Sequence, residues 1–118
     1  MASLINQRAA KVELIVFDVD GVLTRGEIIY SAEGEWKIFT TQDGLGFNLC
    51  RKAGIKIALL SGRESEAVRR RAEELGVDFY TEGAIDKGVA LKEMQEKAGY
   101  EPGQVCYVGD DLPDIPAL

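Results

Sequence analysis

Four short stretches of this 118-residue sequence hold residues whose types and spacing could do chemistry. In Asp18-Val19-Asp20-Gly21-Val22-Leu23-Thr24, two carboxylates stand at i and i+2 directly after the apolar run Val12 to Phe17. A carboxylate at a strand end can attack phosphorus, provided a divalent cation offsets the repulsion between two anions. A second carboxylate beside it can give a proton to the leaving oxygen and later take one from water. A bare Asp-x-Asp is also the sequence of a solvated acidic turn, so the pair gains meaning only from its company. Ser61-Gly62-Arg63 offers a hydroxyl and backbone N–H groups to a phosphate oxygen, or serves as an ordinary helix cap. Lys87 opens a helical stretch, where a lysine is either a local cation or solvated surface. Gly109-Asp110-Asp111-Leu112-Pro113-Asp114 packs three carboxylates into five residues after an apolar strand. Hard cations such as magnesium take oxygen ligands, and Asp18 and Asp110 are expected at one edge of one sheet.

The elements around these residues are what would bring them together. Val12 to Phe17 is β-branched and almost wholly apolar, as a central parallel strand covered on both faces must be. Glu27 to Tyr30 and Glu35 to Thr40 flank Ser31-Ala32-Glu33-Gly34 and read as a hairpin, an insertion over about residues 26–41. Asp43 is the expected N-cap of a helix ending at Gly54. A second strand, Ile55 to Leu60, leads to a helix over Glu64 to Leu75 with Ala67, Val68, Ala72 and Leu75 at helical spacing. Val77 to Tyr80 is a short strand, Lys87 to Ala98 a helix closed by Gly99, and Gln104 to Val108 the last strand. Alternating strands and helices predict an α/β fold with a parallel sheet and right-handed crossovers, formed as one domain over residues 1–118. Ligands of such sheets bind beyond the carboxyl ends of the strands, where Asp18, Asp20, Ser61, Arg63, Asp110 and Asp111 fall.

Composition narrows the chemistry. The sequence has no histidine, which removes Ser-His-Asp triads, Cys-His pairs and histidine metal clusters. The net charge of -6 argues against nucleic-acid or membrane-surface binding, so an anionic substrate must be held by local cations. Cys50 and Cys106 stand far apart in apolar surroundings, as reduced, buried thiols of a cytoplasmic protein would. No run is apolar and long enough for a signal peptide or a membrane span.

Taken in order, the Asp18 to Thr24 motif, Leu59-Leu60-Ser61-Gly62-Arg63, the helical Lys87 and Val108 to Asp114 resemble the haloacid dehalogenase superfamily of phosphotransferases. The likeness runs from Val12 to Leu118. It implies a three-layer Rossmann-like fold, with Asp18 as nucleophile and Asp20 as general acid/base. Mg²⁺ would be held by Asp18, the Asp20 backbone carbonyl and Asp110. Ser61, Gly62 and Lys87 would bind the transferring phosphoryl group, and Asp111 would support the metal ligands from behind.

A single hairpin in place of a large cap resembles the minimal-cap branch. The Gly26 to Gly46 stretch narrows the likeness to enzymes that dephosphorylate small acidic sugar phosphates. On that likeness Asp20, Thr40, Thr41, Gln42, Asp43, Gly44, Asn48, Arg63, Arg71 and Lys87 would meet the substrate, and the protein would be a cytoplasmic homotetramer. Arg25 departs from the branch, which commonly has Asp there. Relatives also continue beyond the position of Leu118 with a strand, a helix and a tail, so a missing C-terminal portion is expected. Arg63 leans toward an eight-carbon sugar acid 8-phosphate. A nine-carbon sugar acid 9-phosphate, and a non-catalytic oligomerising or regulatory module, remain as alternatives.

Overall fold

A computed structural model of the chain describes residues 3–118. Four parallel strands form the central sheet: β1 (Leu14–Phe17), β4 (Lys56–Leu60), β5 (Phe79–Thr81) and β6 (Val105–Val108), in the order β5-β4-β1-β6. The strands that precede β4 in the chain, β2 (Ile29–Ser31) and β3 (Gly34–Trp36), pair antiparallel in a separate ribbon. Helices α2 (Thr41–Lys52), α3 (Glu66–Leu75) and α4 (Lys87–Ala98) connect the sheet strands, and a short α1 (Leu4–Ala9) precedes β1. This is the α/β architecture that the alternating pattern predicts.

Because strand side chains alternate between faces, each sheet strand feeds two cores. Leu14 and Val16 of β1 join Ala58, Leu60 and Met94 on the α4 side. Ile15 and Phe17 pack with Ile57, Leu59, Phe47, Val68, Ala72 and Leu75 on the α2 and α3 side. Phe17 and Phe47 meet ring to ring at 5.1 Å. A strand apolar on both faces is stable only between two helical layers, and three layers result.

The chain reverses direction across β1. It steps outward from β1 to β4 and β5, then returns through α4 to place β6 on the far side of β1. In such a sheet the crevice opens beside the first strand where the order reverses, between the carboxyl ends of β1 and β6. The Asp18 amide donates to the Val108 carbonyl at 2.9 Å, so the two strand ends that carry Asp18 and Asp110 are stitched together at that crevice.

Several boundaries differ from the sequence reading. Asp43 lies in the first turn of α2 and Thr40 is the N-cap, so the carboxylate favours the helix through its amino-terminal dipole. Ser65, not the Ser61 region, caps α3 by accepting from the Val68 amide at 3.4 Å. The paired part of the hairpin is shorter than predicted, because Lys37 to Thr40 runs on as extended chain with no ladder partner. Cys50 and Cys106 are half-buried free thiols rather than fully buried ones. Helix α1, capped by Ser3, was absent from the sequence reading because it buries no residue and so carries no apolar periodicity. No helix among the described residues is long and apolar enough to cross a membrane.

Leu59 is fully buried near the carboxyl end of β4. Leu59→Ala is expected to lower unfolding free energy by about 2–5 kcal/mol, read from urea denaturation with an unchanged far-ultraviolet dichroism spectrum.

Candidate active site

The loop after β1 is shaped by its apolar residues. Val19 and Leu23 are buried in the α2 and α3 core, and the Val19 carbonyl accepts from the amides of Val22, Leu23 and Thr24. Thr24 Oγ1 in turn accepts from the amides of Gly21 and Gly26, at 3.2 and 3.1 Å. With Val19 anchored inward, the flanking Asp18 and Asp20 are free to serve the crevice. Gly21 has φ of +85°, and a Cβ there would run into the Asp110 carboxylate. Glycine is therefore required twice over: for its backbone conformation and for the approach of the β6 loop to the β1 loop.

Asp18 is buried, and its Oδ1 accepts from its neighbour's amide at Val19 (2.8 Å) and from Lys87 Nζ (2.9 Å). Its Oδ2 accepts from none of the described residues. Lys87 opens α4 behind the Asp86 N-cap and is buried, so the solvated-surface alternative is excluded. Its ammonium also donates to Asp114 Oδ1 at 2.7 Å. Burial pushes the Asp18 carboxyl up from 3.8 to about 6, with Asp114 adding repulsion and Lys87 offsetting part of the rise. Burial also opposes charge on Lys87, yet the bonds to Asp114 and Asp18 outweigh it and raise its pKa above the ordinary lysine value.

Asp114 is the residue that sequence reasoning left without a role. Its Oδ1 takes Lys87 and the Tyr107 hydroxyl, and its Oδ2 takes the amides of Asp110 and Asp111 at 3.1 and 3.3 Å. Burial resists ionisation here too, but these four donors, Lys87 foremost, hold its carboxyl down at about 2. Donating to that carboxylate, together with burial, raises the Tyr107 pKa well above its usual value. Gly109 makes the arrangement possible, since a Cβ there would overlap the Asp114 side chain. Asp111, expected behind the metal ligands, makes a different contact. Its side chain is exposed and spent on the amide of Leu112 at 2.7 Å, capping the 3-10 turn of Leu112–Ala117, and Asp114 does the supporting. The reciprocal Asp111/Asp114 cap was the available signal for this, three residues apart at the start of a turn.

Carboxylate oxygens of Asp18, Asp110 and Asp114 lie within 4.8 Å of one another. Three carboxylates around one ammonium leave uncompensated negative charge, and an all-oxygen set of this size suits a hard divalent cation. Asp114 has already spent its acceptor positions on four donors, so Asp18 and the exposed Asp110 are the side chains that can hold an ion. The Asp20 backbone carbonyl accepts from none of the described residues and can join them.

Asp20 is held by a residue the sequence reading also missed. Lys37 Nζ donates to Asp20 Oδ1 at 2.5 Å and lies 2.8 Å from Glu35 Oε1, with its side chain wholly shielded from solvent. Burial disfavours the Lys37 charge, but its hydrogen bond to Asp20 and its ion pair with Glu35 prevail and raise its pKa. Glu35 Oε2 pairs with Arg63 Nη2 at 2.8 Å. The signal was alternation: Glu35, Lys37 and Phe39 turn inward while Trp36 and Ile38 are exposed, the reverse of an ordinary surface strand.

The remaining predicted residues divide. Ser61 is buried at the end of β4, its Oγ accepting from the Arg63 amide at 3.2 Å. A Cβ on Gly62 would sit 3.8 Å from Lys87 Cε, so this turn borders the lysine. Thr40, Gln42 and Asp43 line a cleft with Thr24, Arg25 and Glu27, and Thr41 borders Lys37 and Arg71 on the neighbouring side. Gly44 packs toward Leu75 of α3 instead, where a Cβ would lie 3.8 Å from that side chain. Asn48 accepts from Arg51 on the exposed face of α2. Arg71 is engaged by Glu74, by the Thr40 carbonyl at 2.8 Å and by the Phe39 ring. Among the described residues, no hydrogen bond or ion pair links Asn48 or Arg71 to Asp18, Asp20, Asp110 or Asp114.

A sequence description of the haloacid dehalogenase-like hydrolases matches residues 45–118, which include the Ser61 turn, Lys87 and the Asp110 loop. The chain belongs to that family. Within it, the chain is similar to 3-deoxy-D-manno-octulosonate 8-phosphate phosphatases from Haemophilus influenzae, 40% identical over 113 residues, and from Yersinia pestis, 38% identical over 113 residues. These matches take in 95% of the chain, and the chain spans 63% and 60% of those relatives' lengths. A solved structure from Moraxella catarrhalis, the 3-deoxy-D-manno-octulosonate 8-phosphate phosphatase with magnesium ion, phosphate ion and KDO, is 46% identical. It superposes with a TM-score of 0.89 over 94% of this chain and 64% of its own. The cobalt-bound Haemophilus influenzae enzyme, 40% identical, gives 0.90 over 94% and 66%.

The two hydrolase carboxylates titrate in opposite senses. Asp18, raised to about 6, favours the folded state fully below 3.8, and this contribution is lost as pH rises through 6. Asp114, lowered to about 2, stabilises above 3.8 and loses its contribution as pH falls through 2. In chelator, Asp18→Asn is therefore expected to raise stability at pH 7.5 by about 1–3 kcal/mol and to gain almost nothing at pH 4.5, measured by urea denaturation. Gly21→Ala is expected to weaken Mg²⁺ binding by about tenfold or more, measured by calorimetric titration.

Proposed function

We propose that this chain carries the catalytic machinery of a Mg²⁺-dependent phosphomonoesterase that converts Kdo 8-phosphate to Kdo and phosphate through an aspartyl phosphate on Asp18. The observation behind this reading is the state of Asp18 at the strand-order reversal. One oxygen is clamped by Lys87 and the Val19 amide, the other is free of hydrogen bonds, and Asp110 stands alongside. A nucleophile must be held and yet leave one lone pair available.

Asp18, Asp110 and the Asp20 carbonyl would hold Mg²⁺, which would supply the positive charge that lets a phosphate dianion approach a carboxylate. Asp18 attacks phosphorus in line, the bond from phosphorus to the sugar oxygen breaks, and Asp20 delivers the proton that the departing oxygen needs. Asp20 then takes a proton from a water that attacks the acyl phosphate, releasing inorganic phosphate and restoring Asp18. Lys87, Ser61 and the Gly62 amide hold the phosphoryl oxygens as charge redistributes over them. In a chain of net charge -6, these local cations and donors are what admit an anionic substrate.

Thr40 to Asp43 and Arg63 are the proposed contacts to the sugar acid, with Arg63 exchanging Glu35 for the substrate carboxylate. The names of the most similar relatives support the eight-carbon substrate. The proposal includes a cytoplasmic homotetramer, supported by Tyr30, Trp36 and Ile38, which are exposed apolar residues on one hairpin.

The test is a phosphate-release assay over sugar phosphates. Kdo 8-phosphate is expected to turn over at least about tenfold faster than a nine-carbon sugar acid 9-phosphate, and chelation of divalent ions should abolish release. Asp18→Asn is expected to lose about 10³-fold or more in kcat. Full activity in that variant would refute the mechanism.

A further inference from the structure

We propose that Lys37 is a positioning residue for Asp20, holding one oxygen of that carboxylate so that the other is presented to the leaving group. The inference rests on the phosphatase reading and adds to it a residue from the hairpin. Its ground is geometric. The Lys37 side chain has no exposed surface, and its ammonium is shared between Asp20 Oδ1 at 2.5 Å and Glu35 Oε1 at 2.8 Å. A buried ammonium is tolerated only against counter-charges, and here one of the two is the proposed general acid/base.

The second carboxylate is anchored in turn. Glu35 Oε2 meets Arg63 Nη2 at 2.8 Å, so a line of alternating charges runs from the turn after β4, through the hairpin, to the loop after β1. Glu35 Oε1 is buried and makes no hydrogen bond of good geometry, so its role toward Lys37 is that of a fixed negative charge. The hairpin turns Trp36 and Ile38 outward, 59% and 70% exposed, while it turns Glu35 and Lys37 inward. The inward turn sets both charges against the loops after β1 and β4, where Asp20 and Arg63 receive them.

Asp20 sits on a loop, partly exposed, and without Lys37 its side chain would sample several rotamers. Proton delivery needs the carboxyl within hydrogen-bond reach of the departing oxygen, and small misplacements are costly. Lys37 thus acts on protonation of the leaving oxygen and on activation of water, and it leaves the placement of Asp18 untouched.

The experiment compares two esters in Lys37→Met, a replacement of similar length without charge. On Kdo 8-phosphate, whose alkoxide must be protonated, kcat is expected to fall about 10- to 100-fold while KM stays within about threefold. On 2,4-dinitrophenyl phosphate, whose phenolate leaves without a proton, the first-turnover burst should stay within about threefold of the parent while the steady state slows. Should Lys37→Met not fold, judged by thermal melting, Glu35→Gln keeps Lys37 and loosens its anchor, while its effect on Arg63 is read separately in KM. It is expected to lower kcat on the alkyl ester about 3- to 10-fold with the burst intact.

An unchanged kcat on the alkyl ester, an equal loss in the first turnover of both esters, or a rise in KM with kcat preserved would overturn the proposal, the last by making Lys37 a substrate-binding group. Failure of the underlying phosphatase reading shows separately: the unsubstituted protein would release no phosphate from either ester, and the inference would fall with it.

Discussion

One buried ammonium holds this site together. Lys87 reaches from the first turn of α4 into a space shared by Asp18 at the end of β1 and Asp114 in the turn after β6. All three side chains are almost wholly removed from solvent, so none of the charges can be relieved by water. Deleting Lys87 would strand two buried carboxylates without their counter-charge, a loss that typically costs about 3–5 kcal/mol. The same group fixes the alignment of β1, β6 and α4, with Asp114 also gathering Tyr107 and the amides of Asp110 and Asp111. What results is a rigid wall of negative charge with Asp110 projecting from it, against which a divalent ion and then a dianion can be received.

The hairpin has a different logic. It contributes little to either core, and its charged residues face inward while its large apolar ones face out. It is tied down by Lys37 to Asp20 and by Glu35 to Arg63, contacts between charges and not between methyl groups. The region is thereby coupled to the loops that bear the chemistry. Arg63 is the more solvent-facing end of this line and Asp20 the less exposed one.

Much of this was legible in the chain because strands and helices alternate with unambiguous periods. The segments around Leu14–Phe17, Lys56–Leu60 and Val105–Val108 are too apolar to be anything but covered strands, and the helix from Lys87 to Ala98 came out with the boundaries its Asp86 cap and Gly99 end indicate. Where the reading slipped, short-range competition was the cause. Thr40, Asp43, Ser61 and Ser65 are all plausible caps by type, and only the path of the chain around the packed helices decides which carbonyls and amides each can reach.

By itself the sequence determined the residue types of the chemistry and their order: carboxylates after the first and last strands, a hydroxyl turn and a lysine between them, and no histidine. Those follow from local composition and from the rule that parallel strands deliver their ends to one edge. The tertiary structure alone decided the pairing of charges. Which of Asp110, Asp111 and Asp114 stays free, and which lysine serves which aspartate, depends on burial and on contacts across 17 to 69 residues of chain. Coulomb energies become large and selective only once water is excluded, and exclusion is a property of the packed fold.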